Sequence, residues 1–134
     1  MDWFEIPVAD LDRAQTFYEA LLGIKLRRET IGPNTLAVLS HGEQAVGGCL
    51  ITGPGHQPSA NGTLVYLGVG ASLDAPLARA TAAGARIATP RTVLPGDMGS
   101  FAHIVDSEGN RVACTPPAEK KSAMQFAYII VWVG

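Results

Sequence analysis

Several features that mark large classes of protein are scarce or missing in this sequence. There are only two cysteines, Cys49 and Cys114, far apart and in no metal-ligand spacing, which argues against a disulfide framework or a zinc site. Both sit in apolar surroundings, where a reduced cysteine behaves as a small hydrophobe. Basic charge is not concentrated: the ten Lys and Arg are scattered, with Arg27-Arg28 and Lys120-Lys121 the only pairs, and the formal net charge is −2. Nucleic acid usually demands a clustered Lys/Arg surface, so no nucleic-acid partner is expected. The apolar run Ala127 to Val133 falls far short of the roughly 20 residues needed to span a bilayer, so no membrane partner is expected either. No charged and then apolar leader precedes the first strand pattern, which makes a cytoplasmic location the default. There is no G-x-S-x-G turn and no Cys beside a plausible His. The Gly47-Gly48 pair lies in a strand-like run without the helix a phosphate loop requires.

What is present reads as a folded domain. The chain has 134 residues, 47% apolar and 16% charged, a globular composition. That length suits one domain, or two small modules sharing one core, and buries roughly two thirds of its unfolded surface.

Residues 3 to 8 alternate, with Phe4, Ile6 and Val8 on one face and Trp3, Glu5 and Pro7 on the other, as in a half-buried strand. Asp10 has the chemistry of a helix N-cap. Leu11, Ala14, Phe17, Tyr18, Leu21 and Leu22 recur at helical spacing, and Gly23 supplies the stop. A new strand is expected from Ile24, another over Leu36 to Leu39, a turn at His41-Gly42-Glu43, and a further strand from Ala45 to Ile51.

TGPGHQPSANGT, residues 52 to 63, has no periodicity and reads as a linker. Beyond it the opening pattern returns. Leu64 to Val69 alternates as a strand, Ser72 is an N-cap candidate, and Leu73, Leu77, Ala80 and Ala83 form a helical stripe ended by Gly84. The pairs Trp3/Leu64, Gly23/Gly84 and Leu26/Ile87 share one offset of 61 residues. Ala85-Arg86-Ile87 opens the next strand, and residues 89 to 99 read as a Pro/Gly-rich loop. Phe101 to Val105 and Arg111 to Thr115 then make a hairpin around Asp106-Ser107-Glu108-Gly109-Asn110. A strand–helix–strands unit is thus used twice.

These stretches, WFEIPVADLDRAQTFYEALLGIKL, VYLGVGASLDAPLARATAAGARI and FAHIVDSEGNRVACTPP, resemble the vicinal oxygen chelate superfamily of glyoxalases, extradiol dioxygenases and bleomycin-resistance proteins. The resemblance covers roughly residues 3 to 117. It implies an α+β fold of two paired βαβββ modules whose curled mixed sheets enclose a cavity, usually in a homodimer. The modules would span about 1–51 and 63–117 with the linker at 52–62, leaving 118–134 as an apolar C-terminal extension. That extension is β-prone, so it is expected to be buried as an added strand, a lid or a dimer contact.

Metal-using members of the superfamily hold a divalent ion with a His or Glu near the start of each module's first strand and a Glu on each last strand. The resemblance places those positions here on Trp3, on its mate Leu64 or Tyr66, and on Ala113, while Gly47-Gly48-Cys49-Leu50 contains no carboxylate. A divalent ion needs oxygen or imidazole donors that Trp, Leu and Ala cannot supply. No metal and no cofactor are therefore expected. His41 falls in a turn and His56 in the linker; only His103 lies on a strand.

Strand parity turns Glu5 and Trp3 toward the cavity, and sends Tyr66 inward beside Gly68, which leaves space. Arg111 shares the face of Ala113, and could neutralise Glu5 or hold an anion. His103 alternates with Phe101 and Val105, a pattern that fits the helix-facing side as well as the pocket. Trp3, Glu5, Tyr66, His103 and Arg111 are the candidate ligand-binding residues, and Glu5 the candidate catalytic base. The expected function is binding or sequestering a small aromatic or cationic molecule without a metal. The alternative is a lyase, isomerase or dioxygenase with a displaced metal site or acid–base chemistry through Glu5.

Overall fold

The computed structural model describes residues 3–39, 47–96 and 99–116, together with the strand at 130–132. Strand β1 (Trp3–Pro7) leads to helix α1 (Leu11–Leu22) and strands β2 (Arg27–Ile31), β3 (Asn34–Leu39) and β4 (Gly47–Thr52). The order then repeats as β5 (Tyr66–Gly68), α2 (Asp74–Ala82), β6 (Arg86–Val93), β7 (Ser100–Val105) and β8 (Arg111–Thr115), with β9 (Ile130–Trp132) at the end. The first sheet runs β1-β4-β3-β2 and the second β6-β7-β8-β5-β9. In each, the first strand of the module lies parallel to its last, β1 on β4 and β5 on β8, while the hairpins are antiparallel. The expected α+β arrangement of two βαβββ modules with mixed sheets is present.

Helix α1 forms where the apolar stripe predicts it. The Asp10 side chain accepts the Arg13 N–H at 3.0 Å, and Gly23 closes the helix at φ 69° with its N–H on the Glu19 carbonyl. Leu11, Ala14, Phe17, Tyr18 and Leu21 are all buried. Full burial of a Leu or Phe side chain is worth about 1.5–3 kcal/mol, so this face anchors the helix. One core holds both modules: Phe4, Phe17, Tyr18 and Leu21 from the first meet Leu67, Leu73 and Ile104 from the second. The helices also touch end to side. Arg79 of α2 donates to the carbonyls of Ala20 and Leu21 at 2.7 and 3.3 Å, satisfying the open C-terminal end of α1.

Several boundaries differ from the sequence expectations. Strand β2 begins at Arg27 rather than Ile24, and β5 covers only Tyr66–Gly68 of the expected Leu64 to Val69. Helix α2 starts at Asp74, and Leu73 holds the cap position without a side-chain hydrogen bond. Ser72 still accepts the Asp74 N–H at 3.1 Å, so its hydroxyl performs the expected task. The larger correction lies at 89–93, read as loop but part of β6. Pro90 is tolerated because β6 is an edge strand and its pairing with β7 shifts register around Thr89. The turn at 41–43 and most of the C-terminal extension lie outside the described residues. Within that extension, 130–132 add a strand parallel to β5.

The D-x-x-G-N turn fastens the two modules. Asp106 takes the Tyr18 hydroxyl on one oxygen, and the N–H groups of Glu108 and Asn110, each at 2.8 Å, on the other. Asn110 donates to the Pro7 carbonyl at 2.7 Å and accepts the Ser59 N–H at 2.9 Å, joining β8 to the end of β1 and to the linker. Glu108 accepts the N–H groups of Ala9 and Asp10 and a two-pronged contact from Arg13, the closer at 2.6 Å. Arg13 first, with the two backbone donors, holds the Glu108 carboxyl down at about 2. Burial and the Asp106 charge push the Tyr18 hydroxyl well above its ordinary value. The motif residues are structural ties.

Candidate functional site

Because side chains alternate across a strand, each sheet has a second face turned away from the helical core. On the first sheet the pairing aligns Glu5, Cys49, Val38 and Arg27 in one row across the strands. Leu36, Val38, Cys49 and Ile51 form a compact apolar cluster there. Trp3 lies beside it, 43% exposed. Burial, with the neighbouring charge of Glu5, pushes the Cys49 thiol up to about 12 against an opposing hydrogen bond from Trp3. The thiol is therefore inert as a nucleophile.

The corresponding row of the second sheet is Tyr66, Ala113, His103 and Thr89. Here the face is aromatic and polar. The His103 ring lies 5.2 Å from Phe101 and 5.8 Å, edge-on, from Tyr66, and Tyr66 lies 6.2 Å from Phe101. The Tyr66 hydroxyl sits 3.3 Å from His103 Nε2, and an Arg111 terminal nitrogen 3.0 Å from His103 Nδ1. The same guanidinium donates to Thr89 Oγ1 at 3.2 Å, while its buried Nε has no partner among the described residues. Burial, then the adjacent Arg111 charge, lowers the His103 pKa, so the ring stays neutral at physiological pH. Burial raises the Tyr66 pKa, with Arg111 opposing.

Tyr66, His103 and Arg111 are thus brought together, and Trp3 and Glu5 lie on the other sheet. His103 does not face the helices; Ala102 and Ile104, fully buried in the core, take that side of β7. Arg111 does not pair with Glu5. Its guanidinium turns toward β6 and β7, and Glu5 is exposed, with no ion pair among the described residues. Thr89 and Phe101 are site residues that the sequence reading missed. Thr89 was hidden in the expected loop, and Phe101 shared with His103 a parity that fitted either face. The discriminating signal was Ala102 and Ile104, whose small and aliphatic side chains suit the core opposite α2.

A cavity of about 360 Å³ lies where the modules meet, between the free edge of β1 and the start of β8, beneath linker residues 57–63. Glu5 and Arg111 both contribute to its wall. Val8 donates to Ile51 on β4, and Pro7 offers its carbonyl to Asn110 on the opposite side. By alternation, the main-chain N–H and C=O of Glu5 point outward along this free edge.

The metal positions that the resemblance implies are poor in hard donors, and His103 beside them is already engaged. Ala113 and Trp3 offer no hard donor, both His103 nitrogens already face partners, and a guanidinium stands 3.0 Å from one of them. Among the described residues, no three His, Cys, Asp or Glu side chains converge. No helix among those residues is long and apolar enough to cross a membrane.

A family model, Glyoxalase/Bleomycin resistance protein/Dioxygenase superfamily, matches residues 1–114. The chain belongs to this superfamily. Comparison with curated proteins gave no match. Among solved structures, the superfamily fold is shared with glyoxalase I from Zea mays, at 20% identity and a TM-score of 0.63, over 92% of this chain and 48% of that one. The chain therefore spans about half the length of that enzyme. TnmS3, an antibiotic binding protein from Streptomyces sp. CB03234, matches at 20% identity and a TM-score of 0.64, over 87% of this chain and 94% of that one. A glyoxalase/bleomycin resistance protein from Albidiferax ferrireducens T118 matches at 18% identity and a TM-score of 0.63, over 87% and 97%. The glyoxalase-type fold is thus established, and fold by itself does not assign an activity.

Proposed function

We propose that this superfamily member binds and sequesters a small aromatic molecule on the open face of its second sheet, without a metal. The observation that carries this reading is the group of three rings, Tyr66, Phe101 and His103, set 5.2–6.2 Å apart beside a fixed guanidinium. Rings at these separations offer both π-faces and edges to a planar ligand. Arg111 disfavours a cation next to them and favours an electron-rich or anionic substituent. The likeness to an antibiotic binding protein of nearly equal length agrees with the reading.

The test uses 2-naphthoate against cyclohexanecarboxylate, which carries the same charge without the ring. 2-Naphthoate should raise the melting temperature and quench intrinsic fluorescence, and cyclohexanecarboxylate should do neither. Phe101→Ala should weaken naphthoate binding about tenfold, as expected for an aromatic contact plus its buried area. Equal effects of the two carboxylates would show a charge site instead, and no effect of either would end the proposal.

A second reading rests on Glu5. Its carboxylate has no ion-pair partner among the described residues and lies by the junction cavity, so it is free to exchange a proton with a bound lyase or isomerase substrate. Loss of a turnover in Glu5→Gln with substrate affinity intact would establish it; weakened binding alone would return Glu5 to the binding role.

A further inference from the structure

We infer that Tyr66 is the specificity-determining residue of this face: Arg111, acting through His103, holds its hydroxyl as a hydrogen-bond donor, so the site selects aromatic ligands that carry an acceptor oxygen such as a ketone. The inference rests on the binding reading above and narrows it to one class of ligand.

The direction of each hydrogen bond follows from the protons that three residues carry. A guanidinium can only donate, so the Arg111 nitrogen 3.0 Å from His103 Nδ1 requires a lone pair on that atom. A neutral imidazole with its lone pair on Nδ1 carries its proton on Nε2. Doubly protonated His103 would point an N–H at the guanidinium, and burial together with the Arg111 charge already opposes that form. The Nε2–H therefore faces the Tyr66 oxygen, which accepts it at 3.3 Å. The Tyr66 proton is then not needed inside the protein. A tyrosine hydroxyl is protonated at neutral pH, burial raises its pKa further, and among the described residues it has no other partner. Tyr66 is partly exposed and stands 6.2 Å from Phe101, so a planar ligand resting on these rings brings its substituents within reach of the hydroxyl. Thr89 completes the device from the far end by fixing the guanidinium at 3.2 Å. Arg111, His103 and Thr89 are positioning residues; only Tyr66 touches the ligand's acceptor.

Two ligands of nearly identical shape test this. 2-Acetylnaphthalene carries a ketone where 2-isopropenylnaphthalene carries a methylene group. The wild-type protein should bind the ketone about tenfold more tightly, the value of one well-placed hydrogen bond. Tyr66→Phe should abolish that preference. Arg111→Met, which frees His103 to take the other tautomer and accept the Tyr66 proton, should reduce it to about threefold or less. The imidazole ¹⁵N spectrum of ligand-free protein, with His103→Gln identifying the resonance, should show the Nε2–H form in the wild type and a tautomer mixture in Arg111→Met. A bare Nε2 in the wild type, or equal binding of the two naphthalenes, overturns the inference and leaves the binding proposal standing. Failure of both naphthalenes to bind protein that still binds 2-naphthoate overturns the inference alone, and failure of 2-naphthoate as well overturns the two together.

Discussion

On the first sheet Cys49 sits between Glu5 and Val38, and at the matching place on the second Ala113 sits between Tyr66 and His103. The helix-facing sides of the two sheets are alike, since both supply mainly aliphatic residues to one core. Their open faces have little in common. One is a tight patch of Leu36, Val38, Cys49 and Ile51, and the other a hydrogen-bonded array of Tyr66, His103, Arg111 and Thr89. Repetition of the unit preserved what packing requires and left the open faces to differ. Hydrogen-bonding side chains are concentrated on one of them, and the other is built like ordinary interior.

The two sheets should differ most on the core side of the first. The Phe4 ring lies over Gly48, where an added Cβ would come within 2.2 Å of it. On the second sheet the β7 row carries Ile104 opposite Val112, with the Ala113 N–H on the Val65 carbonyl, so larger side chains share that space. Gly48→Val should therefore cost about 3 kcal/mol or more in urea denaturation. A cost below 1 kcal/mol would mean that the core-facing sides of the two sheets tolerate the same side chains after all.

An exchange across the open faces is the next most telling. Val38→His puts a polar ring into a buried apolar cluster without partners and should cost about 2 kcal/mol. His103→Val removes hydrogen bonds at a partly exposed position and should cost less than about 1 kcal/mol. Equal losses from the two substitutions would erase the distinction drawn between the faces.

A pH-dependent effect is expected at the turn that ties the modules together. Glu108 has its pKa lowered to about 2, so its stabilisation is complete above the ordinary carboxylate value and fades as pH falls from about 4.5 toward 2. Glu108→Gln should cost about 1–2 kcal/mol at pH 7 and progressively less in acid, seen as converging denaturation midpoints. A gap that stays constant between pH 7 and pH 3 would mean that the carboxylate charge contributes nothing.

Much of this architecture was legible in the residues. The stripe from Leu11 to Leu22, the Asp10 cap and the Gly23 stop are local signals, written within one helix and read without any partner. The 61-residue offset told that the unit recurs, and it pairs Glu5 with Tyr66, which the register of each first strand on its last strand bears out. Strand limits were poorer where neighbours decide them. Pro90 and Thr89 look like loop in sequence, and an edge position with a register shift makes them strand.

The site divides in the same way. Sequence named Tyr66, His103 and Arg111 as candidates from chemistry and parity, and by itself it determined the repeat, the faces of β1 and α1, and the lack of hard ligands at Trp3 and Ala113. It could not say which way the Arg111 guanidinium turns, because a four-bond side chain reaches Glu5 or His103 equally well until its partners are in place. Only the tertiary structure decided that. The sheet brings Thr89 and His103 from two other strands alongside Arg111, both as acceptors for its N–H groups, and so fixes the proton that His103 passes toward Tyr66.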